Sequence, residues 1–259
     1  MDLGIRGKRA IVCASSRGLG KGCALALAEA GVSLVINGRD PAVLAETAAE
    51  IHRLHGVPVV PVTADLGDPR GQAALLAACP EPDILVNNNG GPPFRDFREL
   101  DRAAMLAGVT MNMVTPIELI QQVLDGMAAR GFGRIVNITS VSVKMPLAGL
   151  DLSSGARAGL TAFVAGIART VAHRNVTINN LLPGSFDTRR LRQGIAASAR
   201  RRGADESTVA GEDMAAIPAK RFGTPAEFGH ACAFLCSQYA GYVTGQSLLI
   251  DGGAFPGAF

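Results

Sequence analysis

Short apolar runs alternate with longer alanine-rich stretches along nearly the whole chain, and no other feature constrains its fold as tightly. The runs at residues 10–14, 33–37, 57–63, 84–87, 134–139, 176–182 and 247–250 are rich in β-branched residues or leucine and too short for buried helices. Between them, residues 20–30, 41–55, 69–79, 101–130 and 152–173 read as helices. Asp40 before Pro41 is a helix-start signal, a capping side chain followed by a preset φ. In the last stretch Leu160, Phe163, Val164, Ile167 and Val171 share one face at helical spacing. Such alternation implies a parallel sheet with crossover helices on both faces. No linker or internal repeat interrupts it, so residues 1–259 are expected to form one doubly wound α/β domain.

Composition narrows the function classes. Apolar residues at 48% and charged residues at 18% exclude a disordered chain and a coiled coil. A net charge of +3 gives no reason to expect a nucleic acid partner. The five cysteines (13, 23, 79, 232 and 236) are odd in number and form no CxxC pair. They read as reduced buried thiols, with no metal site. The N-terminus is charged and lacks a cleavable apolar run. The longest stretch free of Asp, Glu, Lys and Arg, residues 228–250, contains Gln238, Gly241, Gly245 and Gln246, and reads as helix, turn and strand. A cytoplasmic protein with no membrane partner is expected.

The first strand runs into Cys13-Ala14-Ser15-Ser16-Arg17-Gly18-Leu19-Gly20. Small residues there let the backbone approach a pyrophosphate at the N-terminus of the next helix, which is where a dinucleotide site stands. The second strand ends without the acid that holds an adenosine ribose: Gly38 occupies its place and Arg39 follows. Arg17 and Arg39 would bond a 2′-phosphate, which favours NADP(H) over NAD(H). Residues 185–220, arginine-rich and poor in large apolar side chains, are expected to add one or two mobile helices after the sixth strand. Ligands bind beyond the carboxyl ends of such strands, so this insertion reads as a substrate lid.

With these residues in place, the whole chain resembles the short-chain dehydrogenase/reductase family, nearest in flavour to its 3-oxoacyl carrier-protein reductases. The glycine-rich loop matches at Gly18 and Gly20, with Cys13 and Ala14 replacing two early residues of the motif. The acid at the adenine pocket matches Asp65, followed by Leu66. The Asn-Asn-Ala-Gly motif stands as Asn87-Asn88-Asn89-Gly90. The helix asparagine that holds a proton-relay water matches Asn112, and the serine after strand five matches Ser140. Pro183-Gly184, with Thr188 four residues on, matches the segment after strand six. The stretches 221–225 and 244–253 look like the family too. The resemblance implies a Rossmann-type seven-stranded parallel sheet in the order 3-2-1-4-5-6-7. It also implies a homotetramer built from dimers through the helices at 101–130 and 152–173.

The departure falls on the chemistry. The family's catalytic tyrosine lies thirteen residues after the serine, and here that position is Ser153. The lysine four further is Arg157. The only tyrosines, Tyr239 and Tyr242, lie far along the chain. A serine is shorter and a far weaker acid than a phenol of pKa about 10. Arg157 keeps the charge and can bond a ribose hydroxyl, but cannot cycle a proton. Losing a positioned acid costs on the order of 10²–10⁴ in rate, while the hydride chemistry belongs to the cofactor. Lys144, if desolvated beside the site, and Asp151, if not an N-cap, are candidate replacements.

The primary expectation is an NADP(H)-dependent oxidoreductase of a carbonyl or alcohol small molecule, with Asn112, Ser140, Ser153 and Arg157 at the reacting end. A nucleotide-binding protein without catalysis stands as an alternative. So does a non-redox enzyme on the same frame, since halohydrin dehalogenases carry Ser and Arg at the positions of Ser140 and Arg157. The cluster Arg189, Arg190, Arg192, Arg200, Arg201 and Arg202 reads as a solvated helix face, or as a patch that steers an acidic substrate.

Overall fold

The computed structural model describes residues 1–92 and 94–257. Seven strands form one sheet: β1 (Arg9–Val12), β2 (Ser33–Gly38), β3 (Val59–Thr63), β4 (Ile84–Asn87), β5 (Gly133–Ile138), β6 (Val176–Pro183) and β7 (Ser247–Ile250). Their order is β3-β2-β1-β4-β5-β6-β7, and every pairing is parallel. The helices are α1 (Gly18–Glu29), α2 (Pro41–His55), α3 (Pro69–Ala78), α4 (Arg102–Val109), α5 (Thr115–Arg130), α6 (Asp151–Val171), α7 (Arg189–Arg202), α8 (Glu206–Ala216) and α9 (Pro225–Cys236).

Neighbouring residues of a strand point to opposite faces, and both faces here are dry. Val12, Ile36 and Val86 join one apolar cluster with Leu27 of α1 and Phe228 of α9. Their neighbours Ile11, Val35 and Leu85 join a second with Leu119 of α5 and Leu160 of α6. That is why the strands read as continuous apolar runs. β3 is the exception, an edge strand with partly exposed positions where Pro61 is tolerated.

Asp40 caps α2 by accepting from the Val43 N–H, as its position before Pro41 predicts. Two local expectations fail. Residues 101–130 do not form one regular helix, because a π-helical turn at Thr110–Val114 separates α4 from α5. The Asn112 side chain donates to the Gly108 carbonyl at 3.1 Å, the acceptor its own backbone N–H would use in an α-helix. Asp151 is not an N-cap either. Leu150 holds that position without a side-chain bond, and Asp151 lies inside the first turn, where its charge meets the positive end of the helix.

The chain after β6 leaves and returns at one point. Asp187 N donates to Gly223 O at 2.8 Å, and Gly223 N to Ser185 O at 3.0 Å. Between them α7 and α8 pack on each other through a small core of their own, Ile195, Ala199 and Val209.

Candidate active site

The loop between β1 and α1 is tied to the end of β2. The Ser15 hydroxyl donates to Val12 O at 2.6 Å and accepts from Asn37 N at 3.2 Å. Ser15 N donates to Asn37 O at 2.8 Å. Asn37 in turn donates to the carbonyls of Val62 and Ala64, so one buried amide holds three chain segments in register. Gly18 turns the loop with φ +58°, and a Cβ on Gly20 would sit 2.4 Å from the Ala14 carbonyl oxygen. α1 opens with Arg17 as an N-cap whose side chain makes no capping bond, and its first turn holds no acid. Unpaired N–H groups and the positive dipole end therefore face outward, an arrangement suited to an anion.

At the end of β2, a Cβ on Gly38 would meet Ser16 Cβ and Oγ at 3.0 Å, so a carboxylate side chain there would displace Ser16. Arg17 pairs with Asp40 at 3.4 Å and Arg39 with Asp65 at 4.0 Å. Both arginines are solvent-facing and come together at this rim. Asp65 also accepts from Gly67 N at 2.9 Å, and Leu66 is buried behind it. Leu19 packs against the first core cluster.

The β4 end continues the cleft. Asn88 donates to Ala14 O at 3.1 Å, which joins it to the glycine-rich loop. A Cβ on Gly90 would meet nothing within 4 Å. Thr188 caps α7 by accepting from Leu191 N, and its methyl carbon lies 3.6 Å from where a Gly18 Cβ would stand. The base of the insertion thus faces the loop, and a cavity of about 470 Å³ lined by Gly18, Thr188, Gln193 and Pro225 lies between them. Gly184, next to Pro183, packs so closely on Asp251 that a Cβ would come within 2.6 Å of the Asp251 Cβ.

Asn112 is buried. With its amide spent on Gly108, its Oδ1 has no protein partner. Ser140 Oγ accepts from both Ser142 N (3.1 Å) and Ser142 Oγ (2.9 Å). Both lone pairs are then engaged, and the Ser140 O–H is left to donate elsewhere. Ser153 is buried and accepts from Arg157 Nη1. Arg157 is partly buried; burial, and then the nearby Arg190, push its pKa down to about 10, so it stays a cation at neutral pH. Lys144 is exposed, its ammonium 5.8 Å from the centroid of the Phe255 ring, and is not the desolvated lysine a proton donor requires. Asp151 is exposed as well.

Two residues at this end of the cleft were not singled out from the sequence. Ser142 had a usable signal, a second serine two residues on, in position for a short side-chain-to-backbone turn. Arg190 had none. It sits in an arginine-rich helix that reads as solvated, yet its Nη1 and Nη2 donate to the carbonyls of Gly91 and Pro92, each at 2.9 Å. Pro93, beside them in the expected pocket wall, lies outside the described residues.

Residues 13–254 match the family described as enoyl-(acyl carrier protein) reductase. The chain is 30% identical to the acetoacetyl-CoA reductase of Allochromatium vinosum, over 95% of this chain and 98% of that protein. It is 32% identical to the 3-oxoacyl-[acyl-carrier-protein] reductase FabG of Vibrio cholerae, over 98% and 99% of the two. Among solved structures, YwfH, described as an NADPH-dependent reductase involved in bacilysin biosynthesis, superposes with a TM-score of 0.91 at 30% identity, over 96% of this chain and 99% of that one. With the sheet order, the glycine-rich turn and full-length similarity in agreement, the chain belongs to the short-chain dehydrogenase/reductase family, on its 3-oxoacyl-reductase-like side.

Proposed function

We propose that the chain is an NADP(H)-dependent oxidoreductase of a small carbonyl or alcohol substrate, with a proton route that does not use the family tyrosine. The residues fit the cofactor. The uncapped start of α1 with Gly18, Gly20 and Ser16 suits a pyrophosphate, and Arg17 and Arg39 at the β2 rim suit a 2′-phosphate where Gly38 leaves no acid to repel it. Asp65 and Leu66 would border the adenine. Asn88, Gly90, Pro183, Gly184 and Thr188 would line the nicotinamide half. The relatives named as NADPH-dependent reductases support the same preference. When bound, the cofactor supplies or takes up the hydride at the carbonyl carbon.

The Ser140 hydroxyl carries the reading. Ser142 saturates its lone pairs, so its proton is free to bond a substrate carbonyl oxygen. The Ser142 donors also polarise that O–H. Arg157 adds a fixed cation where negative charge develops on the substrate oxygen. Ser153, bound to Arg157, holds the guanidinium in place. The unpaired Oδ1 of Asn112 is an acceptor for a relay water, which brings the proton in place of a phenol. The insertion from α7 to α8 acts as a lid, because its base at Thr188 faces Gly18 across a shared cavity and it has its own small core to move with. Exposed Met105, Leu106, Val114 and Phe163 on α4, the π turn and α6 suit packing against further copies of the chain in a homotetramer.

Calorimetric titration with NADPH and NADH, followed by NADPH oxidation against a panel of ketones, tests the assignment. NADPH is expected to bind more tightly than NADH, and Ser140→Ala to lower kcat by about 10²-fold or more. Absence of nucleotide binding, or full turnover in Ser140→Ala, would overturn it. Turnover only in Ser153→Tyr/Arg157→Lys would instead mark a nucleotide-binding frame whose chemistry has been switched off.

A further inference from the structure

Arg157 of α6 and Arg190 of the insertion converge on one point. A Cβ built on Gly91 would lie 3.0 Å from both Arg190 Nη1 and Arg190 Nη2, and 3.2 Å from Arg157 Nη1. Any larger residue at 91 would drive into two guanidiniums at once. Like charges brought together lose Coulomb energy, and partial burial adds a desolvation cost. Four neighbouring arginines meet an acid, while Arg189, at the exposed start of α7, does not. Arg192 bonds Asp187 twice at 2.8 Å, Arg202 bonds Glu212 at 2.7 Å, and Arg17 and Arg39 pair with Asp40 and Asp65. Among the described residues, Arg157 and Arg190 have no such carboxylate. Their bonds go to one serine hydroxyl and two backbone carbonyls.

Donors remain on both groups. A guanidinium carries five N–H bonds. Arg190 spends two on the Gly91 and Pro92 carbonyls, and Arg157 spends one on Ser153. The carbonyls orient the Arg190 fork without neutralising it. Its place in the first turn of α7 is also electrostatically unfavourable, since that end of a helix repels cations. Two oriented cations of this kind lack only an anion between them.

We infer that Arg157 and Arg190 form a clamp for a substrate carboxylate, so that the enzyme acts on an oxo acid or hydroxy acid rather than on a neutral ketone. The inference rests on the oxidoreductase reading above and names its substrate class. Arg157 comes from the body of the domain and Arg190 from the insertion. A carboxylate bridging them would therefore fasten the insertion, already bonded to the segment after β4, to the body of the domain.

The clamp is tested by calorimetry with malonate, a non-reacting dicarboxylate, and by turnover of matched pairs, acetoacetate with its methyl ester and 2-oxobutyrate with its methyl ester. Wild type is expected to bind malonate and to favour each acid over its ester in kcat/KM. Arg190→Gln should weaken malonate binding by about 10- to 100-fold and shrink the acid-to-ester ratio by a similar factor, through KM. Arg192→Gln, which removes a neighbouring arginine with its own acid, should leave the ratio unchanged. NADPH affinity measured on the same variants separates a substrate carboxylate from a cofactor phosphate. If Arg190→Gln weakens NADPH and spares malonate, or if wild type favours the esters, the clamp is refuted. If malonate binding depends on Arg190 but no nucleotide binds, the clamp stands and the oxidoreductase reading fails.

Discussion

The crossing of α1 and α9 sets up a prediction that links packing to function. Gly22 of α1 and Gly229 of α9 face each other with no room to spare. A Cβ at residue 22 would stand 2.2 Å from the Pro225 carbonyl oxygen, and a Cβ at residue 229 would stand 2.2 Å from the Gly22 carbonyl oxygen. A normal carbon-to-oxygen contact begins near about 3.3 Å, so Gly22→Ala must push the helices apart by about 1 Å. Overpacking of this kind costs about 1–3 kcal/mol, against which alanine regains about 0.8–1 kcal/mol of helix propensity. The net loss of up to about 2 kcal/mol lowers Tm by about 2–8 °C. The same displacement moves the opening turn of α1, so NADPH affinity should fall with stability. Gly211→Ala in α8 is the control, because a Cβ there meets nothing within 4 Å. It should stabilise the protein slightly through propensity alone. The double variant Gly22→Ala/Gly229→Ala should cost less than the sum of the singles, since the first substitution already opens the gap the second needs. Thermal and denaturant unfolding of the four variants decide the matter. If Gly22→Ala matches Gly211→Ala in stability and leaves NADPH affinity intact, the packing argument is wrong.

Other consequences are as direct. Arg134 is buried, and its guanidinium serves the carbonyls of Ser237 (3.0 Å), Gly133 (2.8 Å) and Asn175 (2.8 Å). Arg134→Met should cost about 1–3 kcal/mol in denaturant unfolding, because it strips a charged donor from three carbonyls, of which those of Asn175 and Ser237 keep the Gly133 and Ala240 N–H groups. The Glu227 carboxyl is lowered from its ordinary 4.5 to about 2, first by Arg221 and then by the Thr224 N–H and hydroxyl of the α9 capping box. A depressed acid stabilises the fold above its unfolded pKa, and that contribution is lost as pH falls from about 4.5 towards 2. Glu227→Gln should therefore lower stability at neutral pH and flatten the acid limb of the stability profile between those values. All five cysteines are buried, and burial pushes the Cys13 thiol up to about 12. A thiol-specific reagent at pH 8 should label none of them rapidly in the folded protein and all of them in denaturant; fast labelling of Cys13 in the folded state would contradict its burial.

Much of the molecule was readable from local signals. Four-to-eight-residue apolar runs between helical stretches require a two-sided parallel sheet, because only crossover helices connect such strands. Gly18 marks a turn that takes a positive φ, Gly20 a place where a Cβ would strike the Ala14 carbonyl, and Asp40-Pro41 a helix start. These are consequences of steric freedom and short-range hydrogen bonding, which act between residues close in sequence. The π turn at Thr110–Val114 was not readable, because it depends on whether one amide, that of Asn112, bonds its own helix or something else. The place of Asp151 was missed for a similar reason, since a cap and a first-turn residue differ by one position in the same composition.

The sequence by itself determined the frame and the dinucleotide-type turn, and it puts Ser153 and Arg157 where the resemblance expects tyrosine and lysine. It did so because each is a matter of residue type at a fixed spacing. Only the tertiary structure decided what those positions do. Ser140 lies within hydrogen-bond distance of both the Ser142 N–H and the Ser142 hydroxyl, and Lys144 stands in solvent rather than desolvated beside the site. Arg190, thirty-three residues from Arg157, joins it only because β4, α6 and α7 bring Gly91 and two guanidiniums to the same point. Charge that reads as a solvated stripe along a helix acquires a fixed orientation once the fold sets one member of the stripe, Arg190, against the Gly91 and Pro92 carbonyls.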